Sequence, residues 1–220
     1  MYNLINRLRT KTYEPTMSRS IYIVRHPQST MNALIDTCDP EKNAEMKSQL
    51  TKEADVDITE LGKKQAEMTA DFLLRITGIT CNVLFSPMKR CKYLSELLLR
   101  GEQIDVLIEH NSRQKQNTWT KDKTFASFTR RVISFYNAYV VKQTTDCIII
   151  GHGVFLSVLL ELFLLKSTFP TMSDDQIVNA LNKQSNNVKF KLNNASISTL
   201  EISENNNVIV QTINYTQHLQ

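Results

Sequence analysis

Short apolar runs alternate along the chain with longer stretches in which apolar residues recur at helical spacing. Ile21-Tyr22-Ile23-Val24, Val83-Leu84-Phe85 and Cys147-Ile148-Ile149-Ile150 are continuous apolar runs rich in β-branched residues. That is the pattern of strands buried on both faces. Residues 104–108 read as a further strand. Behind Thr59, an N-cap type of residue, Leu61, Gln65, Met68, Phe72 and Ile76 repeat at helical spacing, and Gly78 closes the run. Residues 87–100 predict a second helix, with Pro87 in its first turn and Leu94, Leu97 and Leu98 facing inward. A third spans 124–142, where Phe125, Phe128, Val132, Phe135 and Tyr139 share one face as core. The apolar stretch 154–165 is broken by Ser157 and Glu161 and is too short to cross a bilayer, so it reads as a buried helix. A polar helix over 173–183 follows Pro170. Strands are expected at 188–192, 196–202 and 207–213, set off by Asn-rich turns. They lie too close together for crossovers, which makes some of their pairing antiparallel. The alternation predicts an α/β fold, a mostly parallel sheet with helices on both faces.

Composition narrows this only a little. A chain of 220 residues fits one domain, with room for a small insert and a real core. The net charge of +4 is modest and does not point to nucleic acid. Cys38, Cys81, Cys91 and Cys147 form no C-x-x-C pair and have no zinc spacing. Their usage suits a reducing compartment, and Cys81 and Cys147, at strand edges, read as plain core residues. Residues 1–19 carry Arg7, Arg9, Lys11 and Arg19 against the single acid Glu14. A transit peptide and a basic arm are open readings, but there is no amphipathic stripe, and a flexible leader is the reading adopted. Met17 is an alternative start. Without a hydrophobic secretory core, the expected location is cytoplasmic, with no membrane partner.

The chemistry gathers where apolar runs stop. Ile21–Val24 ends in Arg25-His26, then Pro27, a polar turn and Asn32. Cys147–Ile150 ends in Gly151-His152-Gly153. Two strands that each end in His place two imidazoles side by side if the strands are neighbours. In open α/β sheets, ligands gather beyond the carboxyl ends of the strands. Val83–Phe85 runs into Ser86-Pro87-Met88-Lys89-Arg90, which puts Arg90 in the first turn of a helix, beside free backbone N–H groups that attract anions. Arginine is a fixed cation whose planar fork suits phosphate.

Arg25-His26 with Asn32, Thr59-Glu60-Leu61-Gly62 with Gln65-Ala66, Ser86-Pro87-Met88-Lys89-Arg90 and Gly151-His152-Gly153 resemble, in this order, the motifs of the histidine phosphatase superfamily. This is the phosphoglycerate mutase-like group. Asn194-Ala195-Ser196-Ile197 resembles its late strand signature, so that the resemblance spans residues 20–202. It implies a three-layer αβα sandwich with a mostly parallel central sheet and an antiparallel edge, in one domain over 20–215. It implies a metal-independent phosphomonoester hydrolase, without a cofactor, that works through a phosphohistidine. His26 would be the nucleophile and His152 would face it and donate to the phosphate. Arg25, Arg90 and Asn32 would bind the phosphate. The sequence shows no carboxylate cluster that would hold a metal. The substrate would be a phosphorylated small molecule or a phosphoprotein.

The chain departs from the family pattern in places. Pro27 stands where the family has Gly, which removes an N–H and restricts His26. Leu94 stands where the family has Thr. The family's general acid is a Glu some two dozen residues after the motif Arg. Here Glu109 comes nineteen residues after Arg90 and Gln114 twenty-four; Asp122 is a third candidate. Gln114 matches the spacing better, but an amide cannot donate as an acid does; Glu109, which requires a shortened loop, is the general acid adopted. Residues 33–57 are longer than the family's usual connection and read as a polar insertion, either a solvated loop or a flap over the phosphate pocket. Residues 109–123 form a short cap, shorter than in the mutases, which favours a phosphatase. Trp119 either packs under that cap or stacks on substrate. Two other functions stay open: a mutase-like phosphotransferase, and a catalytically weak phosphate-binding module.

Overall fold

The apolar runs form the middle of one sheet. In the computed structural model, which describes residues 18–36, 55–78, 81–98, 101–104, 124–182, 189–203 and 207–220, six strands lie in the order β3-β2-β4-β1-β5-β6. They are β1 (Arg19–Arg25), β2 (Asn82–Phe85), β3 (Glu102–Gln103), β4 (Cys147–Gly151), β5 (Ile197–Ile202) and β6 (Val208–Tyr215). β1, β2, β3 and β4 run parallel, whereas β5 is antiparallel to both β1 and β6. The fold is the expected α/β architecture: parallel strands with an antiparallel edge.

Six α-helices accompany the strands among the described residues: α1 (Thr30–Asp36), α2 (Glu60–Thr77), α3 (Lys89–Leu97), α4 (Phe125–Phe135), α5 (Gly153–Thr168) and α6 (Asp174–Asn182). The sheet separates two cores because successive strand side chains point to opposite faces. Ile21, Ile23, Leu84 and Ile149 meet Phe128, Val132 and Phe135 of α4, Phe155 and Phe163 of α5, and Ile177 of α6. Tyr22, Val24, Val83, Phe85, Ile148 and Ile150 meet Ala66, Ala70 and Leu73 of α2, and Cys91 and Leu94 of α3. Both faces of β1 and β4 are therefore dry, which is why these strands are written as unbroken apolar runs. Cys81 and Cys147 are core residues, and burial pushes the Cys147 thiol far up.

The helix caps follow the sequence. Thr59 accepts from the Gly62 N–H, and Gly78 ends α2 with a positive φ. Thr124 and Ser127 form a reciprocal capping box on α4. The chain then continues as a π-helical stretch, Tyr136–Val140. Pro87 lies before the N-cap Met88 rather than within α3's first turn.

Other expectations shift. On α2 the buried residues are Gly62, Ala66, Thr69, Ala70 and Leu73. Leu61 and Ile76 are about half exposed. Small side chains let the helix lie close to the sheet, so the face that packs is the one with the smaller residues. The strand expected over 104–108 is found earlier, at Glu102–Gln103, and 105–108 lie outside the described residues. No strand forms over 189–192. There the Lys189 and Phe190 N–H groups donate to Glu161 Oε1 and Ser157 Oγ of α5. Those two polar residues in an apolar helix thus satisfy an irregular segment where a sheet ladder would otherwise be needed. Among the described residues, no helix is long and apolar enough to cross a membrane.

Candidate active site

Three neighbouring strands end together. β1 and β4 pair in parallel with Arg25 opposite Gly151, so His26 and His152 follow side by side. β2 lies on the other side of β4, and the Ser86 N–H donates to the Ile150 carbonyl, 3.0 Å away. The two imidazole centroids are 5.2 Å apart with their planes inclined at 57°. Both rings are buried.

The chemistry of His26 is decided by one hydrogen bond. Its Nδ1 lies 2.7 Å from the Pro27 carbonyl oxygen. A carbonyl only accepts, so Nδ1 carries the proton, and in the neutral ring Nε2 holds the lone pair. Burial, then the charges of Arg90 and Arg25, hold the imidazole's pKa well below its ordinary value; the bond to Pro27 opposes them. At neutral pH the ring is therefore uncharged and nucleophilic at Nε2. Pro27 has lost the N–H that Gly would carry there, but the carbonyl that orients His26 remains.

His152 sits at the N-cap of α5, whose sixteen residues point their positive end at the site. Its pKa is also held well below the ordinary value, by burial first and then by Arg90, His26, Arg25 and Arg131. The charged side chains acting on the two rings are thus all cations, the setting for an anion. Arg25 donates from Nη1 to the Leu192 carbonyl, so the irregular segment after α6 orients this guanidinium. Arg90 is buried in the first turn of α3.

Asn32 is held by its oxygen. Asn32 Oδ1 accepts from Ser29 N, Ser29 Oγ and Asn194 Nδ2, at 3.2, 2.9 and 2.9 Å. The amide nitrogen is left as the end that can donate to a ligand. Glu109, Gln114, Trp119 and Asp122, the leader before Ser18, and most of the 33–57 insertion lie outside the described residues. Among the described residues, no group of three or more His, Cys, Asp or Glu is placed to hold a metal ion.

The sequence reading missed the residues that hold the site together. Asn194 Nδ2 also donates to the carbonyls of His26 and Pro27, at 3.1 and 3.3 Å. Gln28 is gripped by α2: its N–H donates to Gln65 Oε1 at 2.9 Å, its carbonyl accepts from Thr59 N, and its Oε1 accepts from Thr59 Oγ1 at 2.7 Å. A Cβ on Gly62 would stand 2.2 Å from the Gln28 carbonyl oxygen, so only Gly fits. Thr59, Gly62, Gln65 and Asn194 all stood in the quoted motifs; their shared task was not legible from spacing. Arg131 gave less signal still. It follows the apolar face of α4 and lies over the rings of Phe128 and Phe155, 5.1 and 5.6 Å from their centroids.

Residues 21–113 match the family model of the histidine phosphatase superfamily (branch 1). No curated protein matches the chain in sequence at a significant level. Among solved structures, the fold is similar to that of a phosphoglycerate mutase from Bacillus anthracis str. Sterne, with a TM-score of 0.62 and 12% identity over 93% of this chain and 96% of that one. It is similar to a phosphoserine phosphatase from Entamoeba histolytica, solved in complex with 3-phosphoglyceric acid, with a TM-score of 0.60 and 16% identity over 92% and 100%. It is also similar to a mycobacterial glucosyl-3-phosphoglycerate phosphatase, with a TM-score of 0.58 and 14% identity over 90% and 100%. At these identities the likeness is one of fold.

Proposed function

We propose that this chain, whose residues 21–113 match the histidine phosphatase superfamily model, is a member of that superfamily and a phosphomonoester hydrolase acting through a phosphohistidine on His26. The observation that carries the reading is the Nδ1 bond of His26 to the Pro27 carbonyl, which leaves Nε2 as the nucleophilic atom of a buried, neutral imidazole.

A phosphomonoester brings close to two negative charges into a site whose charged neighbours are arginines. Arg25 and Arg90 hold its non-bridging oxygens through charge-assisted bonds, and the Asn32 amide adds a donor. His26 Nε2 attacks phosphorus in line. The N–P bond forms as the bond from phosphorus to the leaving oxygen breaks, and that oxygen takes a proton from a general acid. Glu109 is proposed for that role. Once phosphorylated on Nε2, the ring keeps its Nδ1 proton and gains positive charge, which the Pro27 carbonyl stabilises. His152 donates to the phosphoryl oxygens as charge builds on them. Water then attacks phosphorus, giving a proton back to the ionised general acid as the N–P bond breaks, which frees neutral His26 and inorganic phosphate. The arginines supply the charge that a metal ion would supply elsewhere, so the reaction runs without one. The work is mostly positioning and electrostatics.

The test is release of phosphate from an activated aryl phosphate by the purified protein in chelator, beside His26→Ala. The expected result is chelator-resistant turnover that falls at least about 10³-fold in the variant, as for other essential nucleophiles. Turnover indifferent to His26, or phosphate binding with no turnover, overturns the hydrolase. Exchange of phosphate between two sugar phosphates, without net release, would turn the reading to a mutase.

A further inference from the structure

His152 has one ring nitrogen committed and the other not. Its Nε2 lies 2.8 Å from Ser86 Oγ and 3.8 Å from Cys91 Sγ. Its Nδ1 is buried and makes no hydrogen bond among the described residues. Ser86 has no side-chain freedom to spare. It is fully buried at the end of β2, with its N–H bonded to the Ile150 carbonyl on the strand that leads into His152. One imidazole nitrogen is therefore pinned from the next strand, and the ring's other nitrogen has no hydrogen-bond partner among the described residues.

A ring nitrogen helps a phosphoryl group only if it carries a proton, because a lone pair there would repel the oxygens. A neutral imidazole has one N–H and one lone pair, and its two partners decide which nitrogen has which. A serine hydroxyl that donates to Nε2 takes up the lone pair at that end, and the proton then sits on Nδ1. The same hydroxyl also fixes the tilt of the ring toward His26. This is the arrangement in which a hydrogen bond to one nitrogen sets the role of the other, as a backbone carbonyl does for His26.

We infer that Ser86 is a positioning residue for His152: by engaging Nε2, it reserves Nδ1–H as the donor to the phosphoryl oxygens. The inference rests on the phosphatase reading for what His152 donates to, and it adds which atom donates and which residue arranges it. Ser86 touches no reacting atom and acts through His152 alone.

The experiment is 15N NMR of the histidine ring nitrogens in the wild type and in Ser86→Ala, titrated with inorganic phosphate, beside steady-state turnover of an activated aryl phosphate. In the wild-type phosphate complex, His152 Nδ1 is expected to carry a proton. In Ser86→Ala, proton occupancy at Nδ1 is expected to fall and that at Nε2 to rise. Its kcat should drop about tenfold, less than the 10²–10³ of removing an oxyanion donor outright. Ser86→Thr, which keeps the hydroxyl, should restore the wild-type ring signature. A bare Nδ1 in the wild-type complex overturns the inference, and so do ring nitrogens that do not respond to phosphate. Ring signals and kcat unchanged in Ser86→Ala overturn it as well. If Ser86→Ala does not fold, the wild-type spectrum alone decides. A protein that binds phosphate but turns nothing over would fail as a hydrolase, and its ring signals would still test Ser86.

Discussion

The side chains of the candidate site depend on backbone carbonyls and one amide for their aim. Pro27 acts on His26 through its carbonyl, which any residue has, so Pro27→Gly should keep kcat/KM within about threefold. Its cost should be in stability, about 0.4–1 kcal/mol from the freer unfolded chain, read by urea unfolding. Asn194 is different, because its Nδ2 serves His26, Pro27 and Asn32 at once. Asn194→Asp would turn an acceptor toward those three acceptors. The expected loss is about 1–3 kcal/mol of stability, with a fall in kcat as the loop loses register. A variant as stable as the wild type would show that the loop is held by other contacts. The candidate residues Arg25, His26, Arg90 and His152 were legible because charge that stops an apolar run is conspicuous. Asn194 was legible only as a motif letter, since hydrogen bonds between residues so far apart leave no local pattern.

Whole elements converge on the loop after β1. The start of α2 grips Gln28 through Thr59 and Gln65, and Gly62 lets the helix approach to within contact of that backbone. Gly62→Ala should cost about 1–3 kcal/mol, as overpacking does. Because the atom in the way is a backbone carbonyl two residues beyond His26, turnover should fall with it. Denaturant midpoints and kcat measured on the same preparation check both, and a variant with unchanged midpoint would mean that α2 shifts freely. Helix starts and stops were legible here from Thr59 and Gly78, whose signals are local. The buried face of α2 was not. It is set by how near Ala66 and Ala70 let the helix come, and hydrophobic spacing alone pointed to larger residues. Ser157 and Glu161 interrupt α5 to serve Lys189 and Phe190, a reason that exists only once those segments touch.

At the scale of the molecule, His26, His152 and His218 all have pKa values lowered by burial. In the unfolded chain each titrates near its ordinary value of about 6.5. Below that pH the unfolded chain binds more protons than the folded one, so stability rises with pH through this window. The histidine contribution is thus fully present above about pH 6.5 and is lost as pH falls toward the lowered folded values. The expected outcome is a urea midpoint that is flat from pH 7 to 8 and declines steadily from 6.5 to 5. A midpoint that rises on acidification would contradict the burial of these rings. For the same reason His26 stays neutral below its ordinary pKa. The acid limb of kcat/KM due to this group should lie below pH 6.5, as a pH-rate profile would show.

The sequence alone determined the central strands and the main helices, though not the strand placement near 104–108 and 188–192, and it determined which of them end in chemistry. Burial on both faces leaves continuous apolar runs, and helix caps are chosen by neighbours a few residues away. It also determined, through the order of its motifs, the resemblance to histidine phosphatases. The tertiary structure decided what those ends do together. Only the parallel pairing of β1 with β4 brings His26 and His152 within 5.2 Å. Only the fold sets Ser86 against His152 Nε2, whereas the Pro27 carbonyl meets His26 Nδ1 as its immediate neighbour in the chain. The His152 contact, cation placement and the grip on the loop arise between atoms close in space and remote in sequence, and no local periodicity encodes them.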